Sequence, residues 1–342
     1  MNECLTFDDL LIVPQYSDID SRSEVSLASW YNELPLELPI LSSPMDTVTG
    51  AEMAKAMSDR GALGVVHRFM SISDQVDLVC DLEYNQDVPC VAAVGVSEDE
   101  YNRVVALWDN GVRDFCIDVA HGHHKNVAKM LDFILGRAGE GEAFIIAGSI
   151  ATARGYEFLA ENGADVVRAG IGAGSICSTR TTTSVGVPMA SMLMEIEAYR
   201  QDTCCDVKVL ADGGFRNAGT IVKALALGAD YVMLGSMLAG TEEAPGNVFT
   251  APDNKQYKVY RGMASQAASE AHRGVAKSIE GISTTIPFKG PVGAILDDIA
   301  ANMRSGLSYV GARTLDELRE NAVFIRQTEA SRVEGFTHIL LR

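Results

Sequence analysis

Eight short apolar runs recur along the chain, with stretches of helical pattern between them: Leu38 to Ser43, Leu63 to His67, Cys90 to Gly95, Asp114 to Val119, Ala143 to Gly148, Asp165 to Gly170, Val207 to Asp212 and Tyr231 to Gly235. Strands of a parallel sheet covered by helices are dry on both faces, so they read as continuous apolar runs rather than as an alternation. The intervals between the runs match a strand plus one crossover helix, which predicts eight βα units. Helix signals agree with this: Asn217 heads a stretch that ends at Leu227 before Gly228, and Arg154 to Glu161 ends near Gly163. Gly163-Ala164-Asp165 and Gly228-Ala229-Asp230 mark two helix-to-strand returns. Eight such units close into one α/β fold, a (β/α)8 TIM barrel, expected here as a single catalytic domain over residues 1–342.

In a barrel of this kind the chemistry collects where strands end and helices begin. Those positions hold Ser43-Pro44-Met45-Asp46, His67-Arg68, Gly95, Asp118-Val119-Ala120-His121, Ser149, a loop from Gly170 to Arg180, Asp212-Gly213-Gly214 and Gly235-Ser236. After the eighth run, 240–290 is too long for a plain connection and is expected to be an active-site excursion. Val292 to Met303 and Leu315 to Asn321 then complete the outer ring, and 327–342 is expected to be a flexible tail.

Charge narrows the partners. A net charge of −18 without any Lys/Arg run argues against a nucleic-acid polymer, which needs a basic face to displace counterions. A single phosphate is still within reach, because backbone amides bind it locally. No apolar run is long enough to span a membrane. The seven cysteines lack C-x-x-C spacing and no signal segment precedes them, so reduced thiols and a cytoplasmic location are expected.

The loop after the sixth run, Gly170-Ile171-Gly172-Ala173-Gly174-Ser175-Ile176-Cys177-Ser178-Thr179-Arg180, carries the most chemistry. Glycines let a ligand approach backbone N–H groups, and converging N–H groups favour an anion or a thiolate. Cys177 is therefore the candidate nucleophile, with Arg180 as a nearby cation. A free cysteine is more often a small packed hydrophobe, and it is the polar, glycine-rich setting that separates Cys177 from Cys90 and Cys116 within strands. Asp212-Gly213-Gly214 and Gly235-Ser236 stand where barrels commonly hold a phosphate, or they are simply tight turns. His121, His123 and His124 read as a polar loop rather than as a zinc site. Glu280, taken alone, reads as a solvated loop carboxylate.

Taken together, Leu5 to Leu10, Ser43 to Val48, the Gly170 to Arg180 loop, Ala211 to Gly214, Val232 to Gly240 and Tyr260-Arg261-Gly262-Met263 resemble the IMP dehydrogenase and GMP reductase family over nearly the whole chain. The resemblance implies a homotetrameric barrel that binds a purine nucleotide, GMP or IMP, beside a nicotinamide cofactor. By matching positions it implies that Cys177 attacks C2 of the purine and that Asp212 holds the ribose. Ser175, Gly214, Gly235, Ser236 and Tyr260 hold the phosphate, with Ser43, Met45, Gly213, Gly262 and Met263 completing the nucleotide site. Arg68, Asp118, Val119, Ala120, Ser149 and Arg168 line the cofactor site. Carbonyls of Gly172, Gly174 and Cys177 match a monovalent-cation site, K+ being the family's ion, and Thr179 with Glu280 matches the reductase pair that handles ammonia.

The reductase and its cofactor NADPH are favoured by three features: the missing paired regulatory (CBS) insertion between strands two and three, a short Tyr260 to Glu280 flap without an Arg-Tyr pair, and reductase-like Asp118-Val119-Ala120 and Ser308 to Ala312. Gly235-Ser236, Thr241 to Gly246 and Tyr260-Arg261-Gly262 read more like bacterial IMP dehydrogenases, which use NAD. Ala173, Ser178 and Ser149 replace residues common in the family. A flavin-binding barrel oxidoreductase is the further alternative, because the Asp-Gly-Gly and Gly-Ala-Asp elements alone also fit it.

Overall fold

The computed structural model describes residues 3–138, 142–266, 268 and 280–337. All eight apolar runs form strands: Ile40–Ser42, Leu63–Val66, Cys90–Val94, Asp114–Asp118, Phe144–Ile150, Val166–Ala169, Lys208–Asp212 and Tyr231–Leu234. They pair in parallel with their neighbours, and the eighth closes on the first with Val232 opposite Ile40, giving a closed barrel. Among the described residues no helix is long and apolar enough to cross a membrane.

Side chains alternate between two apolar layers, as the pleat requires. Leu41, Leu63, Val65, Val91, Ala93 and Cys116 point into the barrel, while Ile40, Val66, Ala92, Phe115 and Ile117 face the helices. The helices begin on their sequence signals. The Asn217 side chain accepts the N–H of Thr220 at 3.0 Å ahead of Ala218–Ala226, and Thr152 caps Ala153–Glu161.

The barrel floor carries an element without periodic signature. Two three-residue strands, Ser29–Tyr31 and Leu34–Leu36, form a hairpin whose Tyr31 and Leu36 pack on the interior cluster. The Tyr31 ring meets Phe144 edge-on at 4.6 Å. Leu10–Val13 pairs antiparallel with Val323–Arg326, tying the two ends of the chain together. Within the stretch expected to be a flexible tail, Gln327 donates its N–H to the Asp9 carbonyl at 2.8 Å and Glu329–Glu334 is helical. Residues 338–342 lie outside the described part.

The excursion after the eighth strand is a sheet of its own. Gln256–Arg261 pairs with both Phe249–Thr250 and Ser283–Pro287. Lys258, 2% exposed, fastens it to the barrel by donating to the carbonyls of Thr241 at 3.0 Å and Glu242 at 3.2 Å, and also to that of Ala244. The outer ring ends with Val292–Ser308 and Leu315–Asn321.

Candidate active site

At the C-terminal ends of the barrel strands opens a cavity of about 630 Å³, within the usual range for a small-molecule site. Every site residue named from the sequence lines it: those assigned to the nucleotide, those assigned to the cofactor, the glycines of the cation loop, and Cys177, Thr179 and Glu280.

One wall follows from strand alternation. Cys116, Val166 and Leu210 face the barrel interior, so two residues further along each strand Asp118, Arg168 and Asp212 face it too. Arg168, 5% exposed, donates to Asp118 Oδ1 at 2.7 Å and stands 3.9 Å from Asp212 Oδ2. The strand between Asp118 and Arg168 offers Gly148 at that level. A Cβ there would lie 2.5 Å from the Arg168 carbonyl and 2.6 Å from its Cβ, so a side chain would obstruct the crossing. Burial pulls the Arg168 guanidinium down, but the carboxylates of Asp118 and Asp212 outweigh it and the net direction is up. Burial pushes the Asp212 carboxyl up to about 6; Arg168 opposes that rise and Asp118 adds to it. Gly170, at φ 149°, crosses Asp212 so closely that a Cβ would sit 1.9 Å from its carbonyl oxygen.

The wall around Asp118 has a supporting shell that the sequence did not reveal. Arg68 reaches the Asp118 carbonyl at 3.3 Å and stands 3.5 Å from Glu100. Glu100 also accepts the Gly95 N–H at 2.6 Å and pairs with Arg103 at 3.2 Å. Ser149 donates its hydroxyl to the Gly170 carbonyl at 2.9 Å. The Nε donors of Arg68 and Arg168 are buried with no acceptor among the described residues. Arg68, Asp118 and Ser149 line the cavity on this wall and present donors and acceptors of the kind a carboxamide-bearing ring would need.

The opposite wall holds the nucleophile. Cys177 Sγ lies 3.1 Å from the Thr179 hydroxyl, which donates to Glu280 Oε2 at 2.9 Å. Main-chain bonds set this alignment: Ser178 N–H to the Glu280 carbonyl at 3.0 Å, Glu280 N–H to the Ala264 carbonyl at 3.1 Å and Ile282 N–H to the Ile176 carbonyl at 3.1 Å. Glu280 therefore belongs to the site and is not a solvated loop residue. Among the flap residues, 267 and 269–279 lie outside the described part. The Arg180 guanidinium donates to the carbonyls of Ile171 at 2.9 Å and Val187 at 2.5 Å and so braces the loop that carries the thiol.

Between the walls the glycine turns converge. A Cβ on Gly235 would sit 3.3 Å from the Tyr260 hydroxyl and 3.6 Å from Met45 Sδ. Burial pushes the Tyr260 phenol up to about 12, with a Ser175 hydrogen bond acting against it and Asp212 adding to it. Asp46, whose side chain is 6% exposed, grips Arg261 beside Tyr260 in a salt bridge, and Thr47 accepts the Arg261 N–H at 3.3 Å. Thr6, Phe7, Asp8 and Arg216 also line the cavity, with Phe7 stacked on Phe215 at 5.7 Å. The N-terminal motif that holds the first three was legible, although its place at the cavity was not. Among the described residues no cluster of three His, Cys, Asp or Glu could hold a metal. His124 instead caps helix Lys125–Leu135, accepting from Asn126 N–H at 3.1 Å. The proposed cation loop has the Gly174 carbonyl already accepting the Cys177 N–H at 3.1 Å.

Comparison with known proteins agrees with this geometry. The family model for the IMP dehydrogenase / GMP reductase domain matches residues 4–338. An inosine-5'-monophosphate dehydrogenase from Nitrosopumilus maritimus is 31% identical over 475 aligned positions, covering 99% of each chain. A GMP reductase from Vibrio vulnificus is 34% identical over 342 positions, covering 95% of each. Among solved structures, a variant of GMP reductase from Trypanosoma brucei in complex with guanosine 5'-monophosphate superimposes with a TM-score of 0.90 at 27% identity, over 99% of this chain and 98% of that one. The chain belongs to the IMP dehydrogenase / GMP reductase family, whose members are oxidoreductases of purine nucleotides.

Proposed function

We propose that this protein is a GMP reductase, converting GMP to IMP and ammonia at the expense of NADPH. The observation that carries the direction is the chain's compactness. Strands Leu63–Val66 and Cys90–Val94 are joined only by helix Ile72–Cys80 and one further turn of helix. Reductase-named relatives align over 342 positions, whereas dehydrogenase-named relatives need 475 and so carry a long segment without counterpart in these 342 residues.

In this reading Cys177 Sγ bonds to C2 of the purine, and the C2–amine bond breaks to release ammonia. The thiol proton passes through the Thr179 hydroxyl to the Glu280 carboxylate, along the hydrogen bonds already in place, and the same pair returns it to the departing amine. NADPH supplies, when bound, the hydride that C2 receives; with one proton taken up from solvent, breaking of the C–S bond then frees IMP and returns the thiol. Asp212 accepts from the ribose, and the turns at Gly214 and Gly235-Ser236, with Ser175 and Tyr260, hold the phosphate. Asp118, Ala120, Ser149 and Arg68 would orient the nicotinamide, and the carbonyls of Gly172, Gly174 and Cys177 would hold K+.

IMP dehydrogenase is the second reading, supported by relatives of that name at 31% identity over 99% of the chain. Two mixtures separate the readings when the absorbance of the reduced nicotinamide is followed: GMP with NADPH, and IMP with NAD+. Consumption of NADPH in the first is expected. Turnover only in the second would overturn the reductase reading.

A further inference from the structure

The turn after the eighth strand begins at Gly235-Ser236, and each of its carbonyls from Gly235 to Leu238 has a donor. The Gly235 carbonyl accepts the N–H groups of Leu238 at 3.0 Å and Ala239 at 2.8 Å. The Leu238 carbonyl accepts the Thr241 hydroxyl at 2.7 Å. The two carbonyls in between, those of Ser236 and Met237, both accept from Lys289 Nζ, at 2.6 and 3.1 Å. Lys289 comes from the far end of the excursion, just past Ser283–Pro287, and its own N–H donates to the Gly240 carbonyl at 2.9 Å. It does not line the cavity, whereas Gly235 and Ser236 do.

We infer that Lys289 is a positioning residue for phosphate recognition, acting through the Gly235-Ser236 turn without touching the nucleotide. In a trans peptide the carbonyl and the following N–H point in opposite directions. An ammonium that draws the Ser236 carbonyl outward therefore turns the Met237 N–H the other way, and the Gly235 carbonyl, committed to Leu238 and Ala239, does the same for the Ser236 N–H. No acceptor for either of these two N–H groups occurs among the described residues. The ammonium also places a positive charge behind a turn that has a dianion to face, in a chain of net charge −18. Lys258, which binds the carbonyls of Thr241 and Glu242 further along, secures the strand from which Tyr260 reaches the same turn.

The inference depends on a nucleotide monophosphate being the ligand, and the test separates the two claims. Dissociation constants of GMP, IMP and the unphosphorylated guanosine and inosine are measured by calorimetry, without cofactor, for the wild type, Lys289→Met and Lys289→Arg. Lys289→Met is expected to weaken both monophosphates about 10-fold, to leave the nucleosides unchanged and to keep the wild-type unfolding midpoint; Lys289→Arg recovers most of the loss. Equal weakening of nucleotides and nucleosides, or no weakening of either, overturns the role of Lys289 alone. A wild type that binds neither GMP nor IMP overturns the functional reading and this inference together.

Discussion

The cavity has two functional walls that are built differently. Asp118, Arg168 and Asp212 continue the inward alternation of three barrel strands, and their contacts are ionic and mostly buried: 2.7 Å from Arg168 to Asp118 and 3.9 Å to Asp212. Cys177, Thr179 and Glu280 lie outside the barrel strands in two segments about a hundred residues apart, joined by a chain of hydrogen bonds at 3.1 and 2.9 Å. Arg168 is 5% exposed, while Cys177 is exposed to the cavity. A buried ionic wall is costly to rearrange and suits a surface that must be in place before the ligand arrives. A relay of thiol, hydroxyl and carboxylate can pass a proton with little movement, which suits the groups that react. The strand-end wall is thus held by ionic contacts, and the other wall by hydrogen bonds through which a proton can pass.

If that division is right, changes on the two walls separate in kind. Cys177→Ala should have the largest effect, a loss of turnover of about 10⁴-fold or more with GMP affinity retained in calorimetry; a variant that still turns over would remove the covalent step. Glu280→Gln should lower kcat by about 10²- to 10⁴-fold and leave KM for GMP nearly unchanged, whereas a rise in KM alone would make Glu280 a binding residue. Arg168→Met should act on the other wall, leaving the partly buried carboxylates of Asp118 and Asp212 unpaired and lowering unfolding stability by about 1–3 kcal/mol, as read by urea titration; unaltered stability would contradict the ionic account. Thr179→Ala should slow turnover by about 10- to 100-fold, less than Glu280→Gln because a water can replace the hydroxyl, and Thr179→Ser should restore it.

The smallest effect is a pH dependence confined to the ionic wall. Burial raises the Asp212 carboxyl to about 6, so it is anionic above that pH and protonated below it. A ribose hydroxyl donates more strongly to the anion, so KM for the nucleotide should be flat above about pH 6 and rise as pH falls, by up to about tenfold per unit. Stability runs in the opposite sense. The folded state keeps a proton that the unfolded chain releases near the ordinary value of 3.8, so the contribution of Asp212 is greatest below that value and is lost as pH rises towards 6. Asp212→Asn should abolish the KM inflection, and its persistence would assign it to another group.

The same contrast explains what the sequence disclosed. The barrel strands and the first wall come from local patterns: eight apolar runs, and polar residues at their ends in an inward phase. The floor hairpin was missed because two three-residue strands with Pro35 between Leu34 and Leu36 carry no period. The pairing of Leu10–Val13 with Val323–Arg326 was missed because a ladder between chain ends leaves no local mark. Glu280 looked solvated on its own, since main-chain bonds to Ser178 and Ala264 place it at the cavity and backbone bonds have no residue signature; family resemblance, not composition, singled it out. The salt bridges of Asp46 with Arg261 and of Glu100 with Arg68 and Arg103 were equally silent, because only the folded chain brings each set together.

The central claim is that the Cys177 wall removes an amine from C2 and that hydride then replaces it. The most direct measurement is the stoichiometry of ammonium release against NADPH oxidation when GMP is the only nucleotide supplied. One ammonium and one IMP formed for each NADPH consumed is the predicted result. Absence of ammonium and of NADPH oxidation from enzyme that oxidises IMP with NAD+ would contradict it.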